Sequence, residues 1–159
     1  MVVDYFDVTA TAHLEEMRPG WYPRPLGVHV VVRRGDRLIC AQRSESVAWM
    51  PRRWMIGVAE TVEPGDTCAS AAATRALHEE LGVRPPDSVT TIGIMTGATP
   101  DVDILCVAQI SNTADLTCAW EIQRVEELTL SEIGRRLADP HAREVWVPQS
   151  LTIYRTLVP

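Results

Sequence analysis

One helix constrains this chain more than any other segment. From about Cys68 to Leu81 the run CASAAATRALHEEL has helical periodicity, Gly82 offers a C-cap, and Pro85-Pro86 forbids continuation. At about 100° per residue, Ala69, Ala73 and Ala76 share one apolar stripe with Leu77. Glu80 falls inside that stripe, about 60° from Leu77. Arg75 and Glu79 lie on the opposite side at i, i+4 spacing, which by itself is a surface ion pair worth about a few tenths of a kcal/mol. A carboxylate on a small apolar face is costly unless paired or bound to a cation. Two adjacent carboxylates in a last turn also face the unfavourable end of the helix dipole. Something positive must compensate them.

The elements around this helix set the fold class. Tyr5 to Leu14 alternate loosely and read as a strand within an N-terminal extension, residues 1–24, broken at Arg18-Pro19-Gly20. Val28 to Val32, the turn Arg34-Gly35-Asp36 and Leu38 to Arg43 read as a β-hairpin. A third strand is expected from Trp54 to Ala59, followed by the turn Pro64-Gly65-Asp66-Thr67, in which Asp66 or Thr67 can cap the helix. Strands are expected at Val89 to Met95, Val102 to Ile110 and around Glu121 to Leu128; helices follow at Leu130 to Ala138 and Pro148 to Thr156. This order predicts an α+β fold with a mixed sheet between helices, one domain over residues 1–159.

Composition removes several function classes. A net charge of −6 argues against binding a nucleic-acid backbone, which needs a basic face. No apolar run approaches the roughly 18 residues of a membrane span, and no charged-then-apolar leader opens the sequence, so a cytoplasmic protein is expected. Cys40, Cys68, Cys106 and Cys118 contain no CxxC spacing, which predicts reduced thiols rather than a zinc site or disulfide framework. All fifteen basic residues are arginine, so no lysine nucleophile or Schiff base is available.

The central run ATRALHEELGV, Ala73 to Val83, resembles the second half of the Nudix box, Arg-Glu-apolar-x-Glu-Glu-x-Gly-apolar, through Arg75, Leu77, Glu79, Glu80, Gly82 and Val83. The turn Glu63 to Thr67 is similar to the family's Glu-x-Gly-Glu-Thr, with Asp66 in place of Glu. Hairpin, helix and later strands arrive in the family's order from about Pro25 onward. The resemblance implies a Nudix α/β/α sandwich. Two departures stand out. Asp66 fits the box only with a one-residue slip, and the longer front half resembles the isopentenyl diphosphate isomerase branch, with Trp54 ahead of the loop. That branch's catalytic Cys and metal-binding His are replaced within Val58-Ala59-Glu60-Thr61, so isomerase activity is not expected. Second, Ala76 stands where many family members keep a metal-binding Glu that also serves as general base.

The resemblance implies Mg²⁺-dependent hydrolysis of a phosphoanhydride or phosphoester in a nucleotide or nucleoside-diphosphate-linked compound, with Mn²⁺ as an alternative metal. In the family the cation polarises the diphosphate while water attacks phosphorus. Glu79 and Glu80 are the implied metal ligands, and Arg75 orients the loop through Asp66 or Glu79. Since alanine cannot accept a proton, the base must come from Glu60, Glu63, Asp101 or Asp103. Asp101 and Asp103 share one strand face, although a polar strand start after Pro100 is the plainer reading of them. Arg52 and Arg53 beside Trp54 are candidate substrate contacts, against the plainer reading of a solvated loop. Most of the five tryptophans should be core, with one or two free to stack on a base. His29 among valines reads as a core histidine, and Glu126-Glu127 as a solvated pair. The partners implied are a small nucleotide or diphosphate and neither nucleic acid nor membrane, with a homodimer left open. The competing class is a nucleotide-binding or regulatory module that has lost turnover, which Ala76 favours.

Overall fold

The computed structural model describes residues 26–96 and 102–158. The expected N-terminal strand at Tyr5 to Leu14 and Asp101 lie outside that range. Strands β1 (Leu26–Arg34), β2 (Arg37–Arg43), β3 (Trp54–Ile56) and β4 (Val58–Thr61) precede helix α1 (Ala69–Leu81). Strands β5 (Ser88–Thr96), β6 (Val102–Gln109) and β7 (Ile122–Leu128) follow, then helices α2 (Leu130–Leu137), α3 (Ala142–Val145) and α4 (Gln149–Leu157). Among the described residues no helix is long and apolar enough to cross a membrane.

The strands form one mixed sheet in the order β3-β2-β1-β6-β5, with β4 on β1 and β7 on β2. β6 runs parallel to β1, with Val28 opposite Ile104 and Val30 opposite Cys106; the β5 and β4 pairings are antiparallel. Alternation sends two sets of side chains to opposite faces. Val28, Val30, Val32, Ile39 and Val58 pack under Ala72, Ala73, Ala76 and Leu77 of α1. Val31, Leu38, Cys40, Ile56 and Leu105 pack with Ile133 of α2, Ala142 of α3, Ile153 of α4, and Trp146. Small alanines let α1 lie close to the sheet, while Leu77 and Leu81, both fully buried, each contribute about 1.5–3 kcal/mol of burial. The expected α/β/α sandwich is therefore observed.

The expected single strand from Trp54 to Ala59 is two strands joined at Gly57. β1 and β2 pair only at one end, Arg33 opposite Leu38 and Arg34 opposite Arg37, and then part. The segment after Trp54 enters the gap: Ile56 pairs with Cys40 of β2, and Val58 pairs with Val30 of β1. Changing partner between neighbouring residues requires φ +81° at Gly57, and a Cβ there would lie 1.9 Å from the Val30 carbonyl oxygen. Only glycine fits. The helix cap also differs from expectation, because Cys68 occupies the N-cap position without a side-chain hydrogen bond while Asp66 is held by Arg75. The short helix α3 is a further element absent from the sequence reading.

His29 is a core histidine, 2% exposed, and its Nε2–H donates to the Ile56 carbonyl at 2.6 Å. Burial lowers its pKa to about 4, against the opposing pull of that hydrogen bond. Two outcomes follow. Gly57→Ala should lower the free energy of unfolding by at least about 3 kcal/mol, read from the urea midpoint at constant slope; a loss under 1 kcal/mol means the partner change tolerates a side chain. Stability should also be complete above pH 6.5, where the unfolded imidazole is neutral, and fall as pH drops toward 4, by about 3 kcal/mol for this residue. Urea melts at both pH values should show a shallower acid loss in His29→Gln. Equal slopes in the two proteins would remove His29 as the cause.

Candidate active site

The site is organised by α1 and by the loop that precedes it. Arg75 gathers that loop onto the helix. Its Nη2–H and Nε–H donate to the two Asp66 carboxylate oxygens at 2.9 and 3.3 Å, and Nη2–H also reaches the Thr61 carbonyl at 2.5 Å. Its Nη1–H donates to Glu79 Oε2 at 2.9 Å, with Glu63 Oε1 at 3.5 Å. Asp66 closes the loop on itself, its Oδ2 accepting the Glu63 amide at 2.9 Å while its own amide donates back to the Glu63 carbonyl at 2.9 Å. The Arg75 hydrogen bonds hold the Asp66 carboxyl below its ordinary pKa and raise that of the guanidinium.

Helix α1 ends at Gly82, φ +69°, whose amide donates to the His78 carbonyl at 3.0 Å. A second segment is tied to the same end: the Ala119 amide donates to the Glu80 carbonyl at 3.0 Å and the Thr117 amide to the Leu81 carbonyl at 2.9 Å. This tether brings Glu121 beside the last turn of the helix. The Ser44 amide, donating to the Glu121 carbonyl at 2.7 Å, fixes it from the other side. Glu60 enters from β4, opposite Val28 and therefore on the α1 face of the sheet.

Glu60 and Glu121 thus lie within electrostatic reach of Glu80. Glu80 is 7% exposed, and among the described residues no hydrogen bond reaches its carboxylate. Burial, followed by the nearby charges of Glu121 and Glu60, pushes its pKa up to about 7, with Arg43 opposing and Glu79 adding repulsion. Glu60 is pushed up chiefly by burial, although its Oε1 accepts the Thr61 amide at 2.7 Å. Arg43, at the end of β2, is the cation that acts on Glu80, and Arg75 acts on Glu60. Desolvation lowers its pKa while Glu121 and Glu80 hold it up.

The donor set is oxygen only, which suits a hard divalent cation. Among the described residues no three His, Cys, Asp or Glu side chains are close enough to cage an ion by themselves. Mg²⁺ does not need such a cage, since it keeps several waters and takes one or two carboxylates plus substrate phosphates. A concavity of about 890 Å³ lies instead on the solvent side of α1, lined by Cys68, Thr74, Arg75, His78 and Pro86 among others, with no carboxylate in its wall.

The other sequence candidates are placed as follows. Glu63 is exposed and belongs to the Arg75 cluster. Trp54 and Asp103 lie on the sheet face opposite α1: Trp54 is 6% exposed and its ring centroid is 6.3 Å from that of Trp146, while Asp103 shares its face with Leu105. The sheet thus separates both from Glu80. Arg53 donates to the carbonyls of Arg143 and Trp146, and Arg52 pairs with Glu45 in solvent. Glu126 and Glu127, expected to be solvated, pair with Arg136 at 2.7 Å and Arg34 at 2.5 Å. Arg43 and Glu121 escaped the sequence reading. Arg43 had a signal, because it continues the inward alternation of Ile39 and Ala41 with a charge; Glu121 depends on backbone tethers that no local pattern announces.

Glu80→Gln should raise the melting temperature in EDTA by about 2–4 °C for each kcal/mol of repulsion relieved, and a melting-temperature shift on adding Mg²⁺ should be smaller in it than in the unaltered protein if Glu80 is a metal ligand. Equal Mg²⁺ shifts in both proteins would remove Glu80 from the metal site.

A family profile described as NUDIX domain matches residues 23–149. Comparison with curated proteins gives no match. Among solved structures, the chain is similar to a protein from Deinococcus radiodurans, with TM-score 0.67 and 23% identity, covering 89% of this chain and 90% of that one. It is also similar to the NUDIX domain of Shewanella oneidensis NrtR complexed with ADP ribose, with TM-score 0.67, 14% identity and 92% and 94% coverage. A third is a bifunctional NMN adenylyltransferase/ADP ribose pyrophosphatase from Francisella tularensis, complexed with AMP and a manganese ion, with TM-score 0.64 and 16% identity, covering 96% of this chain and 46% of that one. At these identities the likeness carries the fold.

Proposed function

Given that the chain belongs to the NUDIX domain family, we propose that it hydrolyses a phosphoanhydride in a nucleoside-diphosphate-linked compound with the help of Mg²⁺ or Mn²⁺. The observation that carries this reading is buried Glu80 on the last turn of α1, within electrostatic reach of Glu60 and Glu121, where burial and repulsion disfavour the carboxylate form that a bound cation would restore. Structures of similar fold hold ADP ribose in one case, and AMP with a manganese ion in another, which supports the ligand class. Glu79 and Glu80 would hold the cation, which when bound would neutralise charge developing on the diphosphate. Arg75 is a positioning residue: it keeps Glu79 and the loop from Thr61 to Asp66 in place.

Ala76 cannot take a proton, and its site is fully buried against Ala72, Ala73 and Leu77. The proton acceptor for the attacking water is therefore assigned to Glu60 or Glu121, which reach the cluster from the sheet side and from the loop before β7. A binding module without turnover is the second reading, favoured by Ala76 alone.

Phosphate release should be measured over ADP-ribose, dinucleoside polyphosphates and nucleoside triphosphates, with and without Mg²⁺. On the best substrate, Glu60→Gln or Glu121→Gln should lower kcat by roughly 10²–10⁴-fold with Mg²⁺ affinity retained, identifying the base. Ala76→Glu should lower stability by about 1–3 kcal/mol through overpacking and raise kcat less than tenfold. A large kcat gain in Ala76→Glu, with both glutamine variants fully active, would mean that this site lacks a base. No Mg²⁺-dependent release from any substrate would favour the binding module.

A further inference from the structure

Two tryptophans lie outside the core. Trp49 is 41% exposed and Trp120 70%, whereas Trp54 and Trp146 are 6% and 3% exposed. One exposed ring needs no explanation, but two on the segments that border buried Glu80 and its acidic neighbours do. Trp120 immediately precedes Glu121, in a turn closed by the Ile122 amide donating to the Ala119 carbonyl at 3.0 Å. Trp49 lies under Arg43, whose guanidinium carbon is 5.2 Å from the ring centroid and whose Nε–H donates to the Trp49 carbonyl at 2.9 Å. The two segments are bound together, since Arg43 pairs with Ile122 in the β2–β7 register and the Ser44 amide holds the Glu121 carbonyl at 2.7 Å. Arg43 thus stands between the segments that carry the two indoles. Among the described residues it makes no ion pair, and its two terminal nitrogens keep their donors.

Each part of this rim suits one part of a nucleotide. An indole face supplies a stacking platform at small entropic cost, and every base has a face to offer it. A guanidinium held by its Nε presents its remaining N–H groups to phosphate oxygens. Glu121 and Glu80 lie within electrostatic reach of that guanidinium, so a phosphate on it would be near the acidic site. We propose that Trp49, Arg43 and Trp120 form the nucleoside-binding rim of the acidic site, the indoles stacking the base and Arg43 contacting the adjoining phosphate of a nucleoside diphosphate. The assignment rests on the hydrolase reading for its position and extends it to the base.

The test is calorimetric titration in the presence of Mg²⁺ with two probes, ADP and inorganic pyrophosphate. Trp49→Ala and Trp120→Ala should each weaken ADP binding by roughly five- to hundredfold and leave pyrophosphate within about twofold. Trp120→Phe keeps a stacking face and should stay within about threefold of the unaltered protein, which a general loss of fold would not allow. Arg43→Gln should weaken both probes. Failure of ADP to bind the unaltered protein, ADP affinity unchanged in both alanine variants, or equal losses for both probes would overturn the rim. Glu80-dependent phosphate release that ignores both tryptophans leaves the hydrolase reading intact and overturns only the rim. ADP binding that depends on the indoles, with no turnover of any substrate, supports the rim and removes the hydrolase reading.

Discussion

The guanidinium of Arg75 is the contact on which the site's geometry depends. An i, i+4 pair with Glu79 contributes only about a few tenths of a kcal/mol on a helix surface. Here the same side chain, 18% exposed, also grips Asp66 through two nitrogens and takes the Thr61 carbonyl. One group therefore fixes the end of β4, the turn after it and the outer face of α1. That coupling positions Glu60, one residue before Thr61, against the helix turn that carries Glu80. Without it the loop would keep the Val62 amide's hydrogen bond to the Leu26 carbonyl and the reciprocal Glu63–Asp66 contacts, none of which attaches it to α1.

The charges then divide by role. Arg75 sits among Asp66, Glu63 and Glu79, where opposite charges are satisfied and Asp66 stays ionised easily. Glu60 and Glu121 lie within electrostatic reach of Glu80, with Arg43 acting on Glu80 and Arg75 on Glu60 through space. Structural ion pairs in folded proteins are made as complete as geometry allows; a set of carboxylates left under-compensated in a partly buried place is a reservoir of negative charge. The contrast between the carboxylates paired with Arg75 and the unpaired Glu80, with Glu79 bordering both, distinguishes scaffold from site more clearly than the identity of any single residue.

Much of this was legible in the sequence, and for a common reason. The α1 stripe, the Gly82 cap and the hairpin with its Gly35 turn are local, set by periodicity and by residues that only certain backbone shapes favour. Glu80 could be singled out because a charge interrupts an otherwise apolar helical face. The Gly57 partner change could not, since Trp54 to Ala59 reads as one continuous strand until β1 and β2 are seen to part. The same limit misplaced Trp54 and Asp103. Their types suit a substrate site, but the face on which a side chain emerges depends on register, and one residue of shift reverses it. Glu121 was invisible for a different reason: it is delivered by two backbone hydrogen bonds to the end of α1, and backbone contacts carry no residue signature.

Ala76 connects the packing of α1 to the placement of the carboxylates. Its methyl group is fully buried where the helix lies closest to the sheet, so the alanine serves the packing that brings α1 down onto Val28, Val30 and Val58. A longer side chain there would have to push the helix away or displace its neighbours, in an interior already filled to crystal-like density. A helix drawn this close to the sheet brings its last turn within electrostatic reach of Glu60 on β4, and the tethered loop adds Glu121 at the same level. The missing helical carboxylate and the presence of two from other elements are then one packing solution seen from two sides. Negative charge is moved from a position that must be small to positions at the edge of the core, where water and a cation can reach it.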